Sequence, residues 1–139
     1  MKKTKKSLSQ NFLNDKNICK KIIKESKIYN EEIIEIGPGY GFLTDFILDN
    51  NPKKLTLIEK DNEIHKYLLK KYKKDNVSIL NKDILELNLK NYSKINIISN
   101  LPYNISSKFI LWCLKNCNQI NSMTLMIQRE FAEKISIKN

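Results

Sequence analysis

The sequence predicts an α/β fold with a mainly parallel, doubly wound sheet. Two observations predict it. Short β-branched runs alternate with segments of helical spacing along the whole chain. The unusual polar and glycine-rich spots fall at the carboxyl ends of the predicted strands, where open sheets of this kind bind ligands. With 139 residues and neither repeat nor linker, the chain reads as one domain with a real core.

In order, Asp15 is a candidate N-cap for a helix over 17–27, where Ile18, Ile22 and Ile23 share a face. Residues 33–36 form a β-branched strand that runs into Gly37-Pro38-Gly39-Tyr40-Gly41. Phe42, Leu43, Phe46 and Ile47 mark a helix that Asn50-Asn51-Pro52 stops. A second strand covers 55–59, and a basic helix over 62–74 turns Ile64, Leu68 and Leu69 inward. A third strand, 77–81, leads to Lys82-Asp83-Ile84-Leu85. The fourth strand is 95–99, followed by Asn100-Leu101-Pro102-Tyr103-Asn104-Ile105-Ser106 and a helix over 106–116. A fifth strand, 123–127, and a helix from 129 to 137 complete the series.

Hydrophobic content of 41% and charged content of 29% are those of an ordinary globular protein. No apolar run is long enough for a membrane span, and the basic start is not followed by the apolar stretch of a signal peptide. A soluble, unprocessed cytoplasmic protein without a membrane partner is expected. The net charge of +10 points to a polyanion, usually nucleic acid. Every basic residue but Arg129 is lysine, and Asn and Ile are abundant, so an AT-rich genome explains part of that charge equally well. Cys19, Cys113 and Cys117 form no CxxC pair, and His65 stands alone, which leaves no metal site and no histidine catalysis in view.

The glycine loop opens a helix directly after a strand, where glycine admits positive φ and a close ligand, and a helix N-terminus favours negative charge. Phe42 occupies the position where G-x-G-x-x-G needs its third glycine, so the dinucleotide reading loses ground to a plain tight turn or another ligand. Glu59 ends the second strand, where a carboxylate can accept both hydroxyls of a ribose; the plain alternative is a solvated charge. Asp83 could accept an adenine amine or simply cap Ile84-Leu85. Taken together, Gly37, Gly39, Glu59 and Asp83 describe an adenosine site with nothing equipped for pyrophosphate, which narrows the ligand to S-adenosylmethionine. Asn100 and the backbone carbonyl of Leu101 could then accept from an aromatic amine and draw its nitrogen toward tetrahedral geometry. Pro102 shapes the turn and Tyr103 stacks on the ring, a contact worth about 1–3 kcal/mol in single-strand binders. The plain alternative is that Pro102 ends a strand and Tyr103 is core.

These residues resemble a known family, the ribosomal RNA adenine N6-dimethyltransferases, and within it the small-subunit dimethyladenosine transferases. The similarity rests on Gln10-Asn11-Phe12-Leu13, on Glu35 to Thr44, on Ile58-Glu59-Lys60-Asp61, on Lys82-Asp83-Ile84, on Asn100 to Ser106 and on Gln128 to Ile135. It covers nearly the whole chain, with the motifs in order. It implies a Rossmann-like class I S-adenosylmethionine-dependent methyltransferase that lacks its last strands, with residues 1–139 as the cofactor-binding domain and no C-terminal helical domain. It further implies that Asn11 and Leu13 contact the methionine part of the cofactor, above Gly37. Glu59 would hold the ribose, Asp83 the adenine, and Asn100 both cofactor and target amine. The expected activity is dimethylation of two adjacent adenosines near the 3′ end of small-subunit ribosomal RNA. The immature subunit would be the partner and the enzyme a monomer. Two alternatives stand beside it: a non-catalytic RNA-binding assembly factor, and a large-subunit RNA methyltransferase, whose relatives often share Ser9.

Overall fold

The computed structural model describes residues 13–136. Asp15 caps the first helix, α1 (Lys16–Glu25), its carboxylate accepting from the Asn17 and Ile18 amides at 2.8 and 3.3 Å. There follow β1 (Glu32–Ile36), α2 (Phe42–Asp49), β2 (Lys54–Ile58), α3 (Asn62–Lys71) and β3 (Val77–Leu80). After a 3₁₀ turn at Ile84–Glu86 come β4 (Ile95–Asn100), a second 3₁₀ turn at Tyr103–Ile105, α4 (Ser106–Lys115), β5 (Ile120–Met126) and α5 (Arg129–Ile135).

All strand pairs are parallel, in the order β3-β2-β1-β4-β5. Parallel strands need crossovers, and the alternating sequence supplies a helix or turn for each. The chain builds outward from β1 to β3 and then returns to place β4 on the other side of β1. The order therefore reverses between β1 and β4, and a crevice opens beyond their carboxyl ends. Their register sets Ile36 opposite Ser99, so Gly37, just past β1, lies beside Asn100, the last residue of β4. The buried Ser99 hydroxyl donates to the Ile36 carbonyl at 2.8 Å and fixes that edge of the crevice.

Successive β1 and β4 residues point to opposite faces, and both faces are covered. Ile33, Leu55, Leu57 and Ile98 pack with Cys19, Ile22, Leu43 and Ile47 of α1 and α2. Ile34, Ile58, Ile95 and Ile97 pack with Ile84, Leu87, Leu89, Phe109 and Trp112 on the other side. Trp112 stacks on Phe109 at 5.7 Å between centroids and donates its indole N–H to the Leu87 carbonyl at 3.1 Å. Among the described residues, no helix is long and apolar enough to cross a membrane.

Most element ends lie within two residues of the sequence reading; two boundaries differ by three residues, and one side chain faces the other way. β5 starts at Ile120, because Asn121 and Ser122 donate to the side-chain oxygen of buried Asn96, at 3.0 and 2.8 Å, where an apolar run was expected to begin the strand. α3 ends at Lys71: Tyr72 is extended, with φ −110° and ψ 114°. Leu69 points outward, 45% exposed, since a helix that buries Ile64 and Leu68 turns the next residue away.

Phe109 is fully buried and central to the α4 side. Phe109→Ala is expected to cost about 3–5 kcal/mol, read as a fall in the urea midpoint of unfolding.

Candidate functional site at the strand ends

A cavity of about 220 Å³ opens in the crevice, bordered by Leu13, Glu35, Gly37, Gly39, Tyr40, Phe42 and Asn100 among others. Four of the residues singled out from sequence, Leu13, Gly37, Gly39 and Asn100, are thus brought together on one wall. Asn11 lies outside the described residues. Glu59, Asp83, Leu101, Pro102 and Tyr103 do not border this cavity and occupy the strand ends around it.

The glycine loop has φ of 64° at Gly37, 57° at Gly39 and 91° at Gly41. L side chains avoid that region, so the backbone itself demands glycine. A Cβ at Gly37 would meet only Pro102, at an ordinary 3.9 Å, whereas one at Gly41 would collide with the Tyr72 hydroxyl. The third glycine therefore answers to a neighbouring side chain.

Glu59 is not a solvated charge: it is 4% exposed. Its carboxylate accepts the Asp61 amide at 2.9 Å, and the backbone N–H groups of Gly39 and Lys60 also favour its charged form. Burial pushes its pKa up and these amides pull it back. The carboxylate thus ties the end of β2 to the middle of the glycine loop. Asp83 does cap its 3₁₀ turn, accepting from the Leu85 amide at 3.0 Å, and its other oxygen pairs with Lys60 at 3.1 Å. The Asn81 amide donates to the Glu59 and Lys60 carbonyls at 3.0 and 3.2 Å, joining the ends of β2 and β3. Leu101 is buried and donates its amide to the Met126 carbonyl at 3.0 Å. Tyr103 is 48% exposed at the start of its 3₁₀ turn, which excludes a core role.

Sequence reasoning gave no role to Glu35, although an acid inside a β-branched strand is the signal that could have found it. Glu35 is 2% exposed in the middle of β1, borders the cavity and accepts from the Thr44 hydroxyl at 2.6 Å. Burial pushes its carboxyl up to about 8; the Thr44 hydrogen bond opposes this, and the charges of Asp45 and Glu59 add to it. Beside it, Tyr72 reaches from the end of α3, 3.0 Å from the Gly41 carbonyl and 2.6 Å from Asp45. Burial and Asp45 push the Tyr72 hydroxyl upward, so it stays protonated and donating. Lys71 donates to the Tyr40 carbonyl at 3.0 Å and pairs with Asp45 at 3.1 Å. Together Lys71 and Tyr72 latch α3 onto the glycine loop and the first turn of α2.

The strand order, the glycine loop after β1 and the buried acid after β2 are those of the Rossmann-like class I S-adenosylmethionine-dependent methyltransferases. Residues 1–137 match the family model described as ribosomal RNA adenine dimethylase, and the chain belongs to that family. It is 41% identical over 138 residues to "Ribosomal RNA small subunit methyltransferase A" of Pelagibacter ubique, covering 96% of this chain and 52% of that protein. The protein of the same description from Mesomycoplasma hyopneumoniae is 42% identical over 134 residues, covering 96% and 51%. The chain thus spans about half the length of the curated relatives it matches. Among solved structures, the 23S rRNA methyltransferase ErmE superposes with a TM-score of 0.81 at 29% identity, over 90% of this chain and 51% of its own. A dimethyladenosine transferase from Plasmodium falciparum does so with 0.80 at 28%, over 92% and 47%.

Two expectations follow. Glu35 keeps its proton in the fold up to about pH 8, whereas the unfolded chain releases it near the ordinary 4.5. The folded state therefore binds more protons in that window, and stability falls as pH rises through it. Glu35→Gln should flatten this fall, its melting temperature exceeding that of the wild type at pH 9 but not at pH 5. Secondly, Gly41→Ala should cost more stability in the wild type than in a Tyr72→Phe background, where the hydroxyl clash is gone and what remains is the positive-φ penalty of about 1–2 kcal/mol and the tight approaches of the ring and of Lys71. Equal costs in the two backgrounds would place the constraint elsewhere.

Proposed function

We propose that this chain binds S-adenosylmethionine and supports methyl transfer to N6 of adjacent adenosines in small-subunit ribosomal RNA, with the immature subunit as its partner. The observation that carries this reading is the placement of Asn100 beside Gly37 on the cavity wall, with an exposed Tyr103 three residues further on. Residues 1–139 are read as a single cofactor-binding domain, at work in the cytoplasm as a monomer.

The residues present suit the cofactor. Of two buried carboxyls in an otherwise basic chain, Glu35 borders the cavity and Glu59 lies at the strand end beside it. A buried acid at the cavity border disfavours a pyrophosphate, whereas a ligand with a cationic end would favour that acid's ionised form. Glu59 would take the ribose hydroxyls, Asp83 the adenine amine, and Leu13 with Gly37 and Gly39 the methionine part. Asp83 retains acceptor capacity, since each carboxylate oxygen has two lone pairs. When bound, the cofactor supplies a methyl group on a sulfonium already primed to leave.

The protein's own share is alignment. Tyr103 offers a ring for the target base, taken out of its stack as enzymes that modify bases require. The Asn100 side-chain oxygen and the Leu101 carbonyl accept the two amine hydrogens, which turns the nitrogen lone pair from the ring toward the cavity. Pro102, with φ −58°, holds the turn that presents them. Holding both reactants in line accounts for the rate without a basic side chain of shifted pKa.

The test is transfer of labelled methyl groups to unmodified small subunits, followed by mapping of the modified sites. Asn100→Ala should abolish transfer while leaving cofactor binding measurable by calorimetry, and Glu59→Ala should abolish that binding. Cofactor-independent RNA binding, untouched by Glu59→Ala, would instead favour the assembly-factor reading that the +10 charge supports. Modification of large-subunit adenosines would move the target.

A further inference from the structure

Beyond the cavity rim, the glycine loop and α3 together carry an aromatic pair at the surface. Tyr40 borders the cavity and is 37% exposed; Tyr67 of α3 is 42% exposed. Their rings meet edge to face, with centroids 5.1 Å apart and planes at 89°. The geometry is held from beneath: Lys71, one turn after Tyr67, donates to the Tyr40 carbonyl at 3.0 Å and pairs with Asp45. The backbone under one ring is thus fixed to the helix that carries the other.

Lysines flank Tyr67 along the chain. α3 and the segment after it carry Lys66, Lys70, Lys71, Lys73 and Lys74. Lys66 pairs with Glu63 and Lys71 with Asp45, whereas no ion pair among the described residues engages the exposed Lys70, Lys73 or Lys74. Lys70 lies one helical turn from Tyr67, beside the ring pair. A rigid aromatic platform flanked by uncompensated lysines is the combination that binds single-stranded nucleic acid. Any base can stack on the ring and its phosphates meet the charges, with no sequence to read. An acidic peptide would satisfy the lysines but leave the stacking surface unused.

We propose that the Tyr40–Tyr67 pair, with Lys70, is a shelf for single-stranded RNA flanking the target, separate from the Asn100–Tyr103 grip. This rests on the reading of the substrate as RNA. Tyr40 and Asn100 border one cavity, so a strand that delivers a base to Asn100 passes within reach of the shelf. The shelf binds RNA without sequence preference, and its role is to hold the strand while the grip selects the base.

The probe is a fluorescently labelled, unmethylated transcript of the small-subunit 3′ hairpin, made with and without its single-stranded flanks and titrated with the full chain. Tyr67→Ala should weaken binding of the flanked transcript about tenfold, the size of one lost base–aromatic stack. It should leave the trimmed hairpin and S-adenosylmethionine binding unchanged, and Tyr67→Phe should restore wild-type affinity. Lys70→Ala should lower the slope of log K against log salt by roughly 0.7 on the flanked transcript. Tyr67→Ala binding the flanked transcript as the wild type does, or losing the cofactor in proportion, overturns the shelf. A wild-type chain that binds neither transcript overturns the RNA reading of the whole site, and the shelf falls with it.

Discussion

The parallel pairing of β1 with β4 is the constraint on which the rest of the structure depends. Every other strand is added outside this pair, and the reversal of strand order between them is what leaves a crevice at the carboxyl ends. The pairing is buried on both faces and its register is pinned at the top by the Ser99 hydroxyl on the Ile36 carbonyl. A slip of one residue would exchange Ile97 and Ile98 between two separate cores and move Asn100 from its place beside Gly37. The position of the site is therefore set by the same contacts that set the fold.

Around this seam the protein buries more acid than a core tolerates without compensation. Burial raises the Glu59 carboxyl, and backbone amides from three residues oppose that shift while fixing its direction. Glu35 has one hydroxyl donor and responds by holding its proton. Burial thus raises both carboxyls, but one sits against a loop rich in N–H groups that oppose the shift and the other lies within a strand with a single hydroxyl donor. A cation entering the crevice would lower the cost of ionising Glu35, which couples occupancy of the cavity to the protonation of its wall.

Much of this was legible in the sequence. The alternation of β-branched and helical segments predicts an α/β fold with five strands in a mainly parallel sheet, because most crossover segments carry a helical period. Gly37, Gly39, Glu59 and Asn100 stand out because glycine and polar side chains at strand ends break the local pattern. What was not legible depends on contacts distant along the chain. Tyr72 looked like one more residue of a lysine-rich helix, yet it decides why position 41 is glycine. Asn121 and Ser122 looked like loop, yet buried Asn96 gives them partners and extends β5. Leu69 was placed inward on hydrophobicity alone, and the face set by Ile64 and Leu68 turned it out.

The latch between α3 and the glycine loop also has a consequence for how the protein opens. Its hydrogen bonds join residues 26 to 31 apart in sequence, and the loop makes them with the end of a helix that docks through few buried side chains. Loop and helix consequently belong to one cooperative unit of local unfolding: neither can order fully without the other. In hydrogen exchange, the amides of the loop and the first turn of α2 would share the opening free energy of α3 instead of that of the central strands. The part of the molecule that shapes the crevice would then be the part that breathes first, while the β1–β4 seam beneath it stays closed.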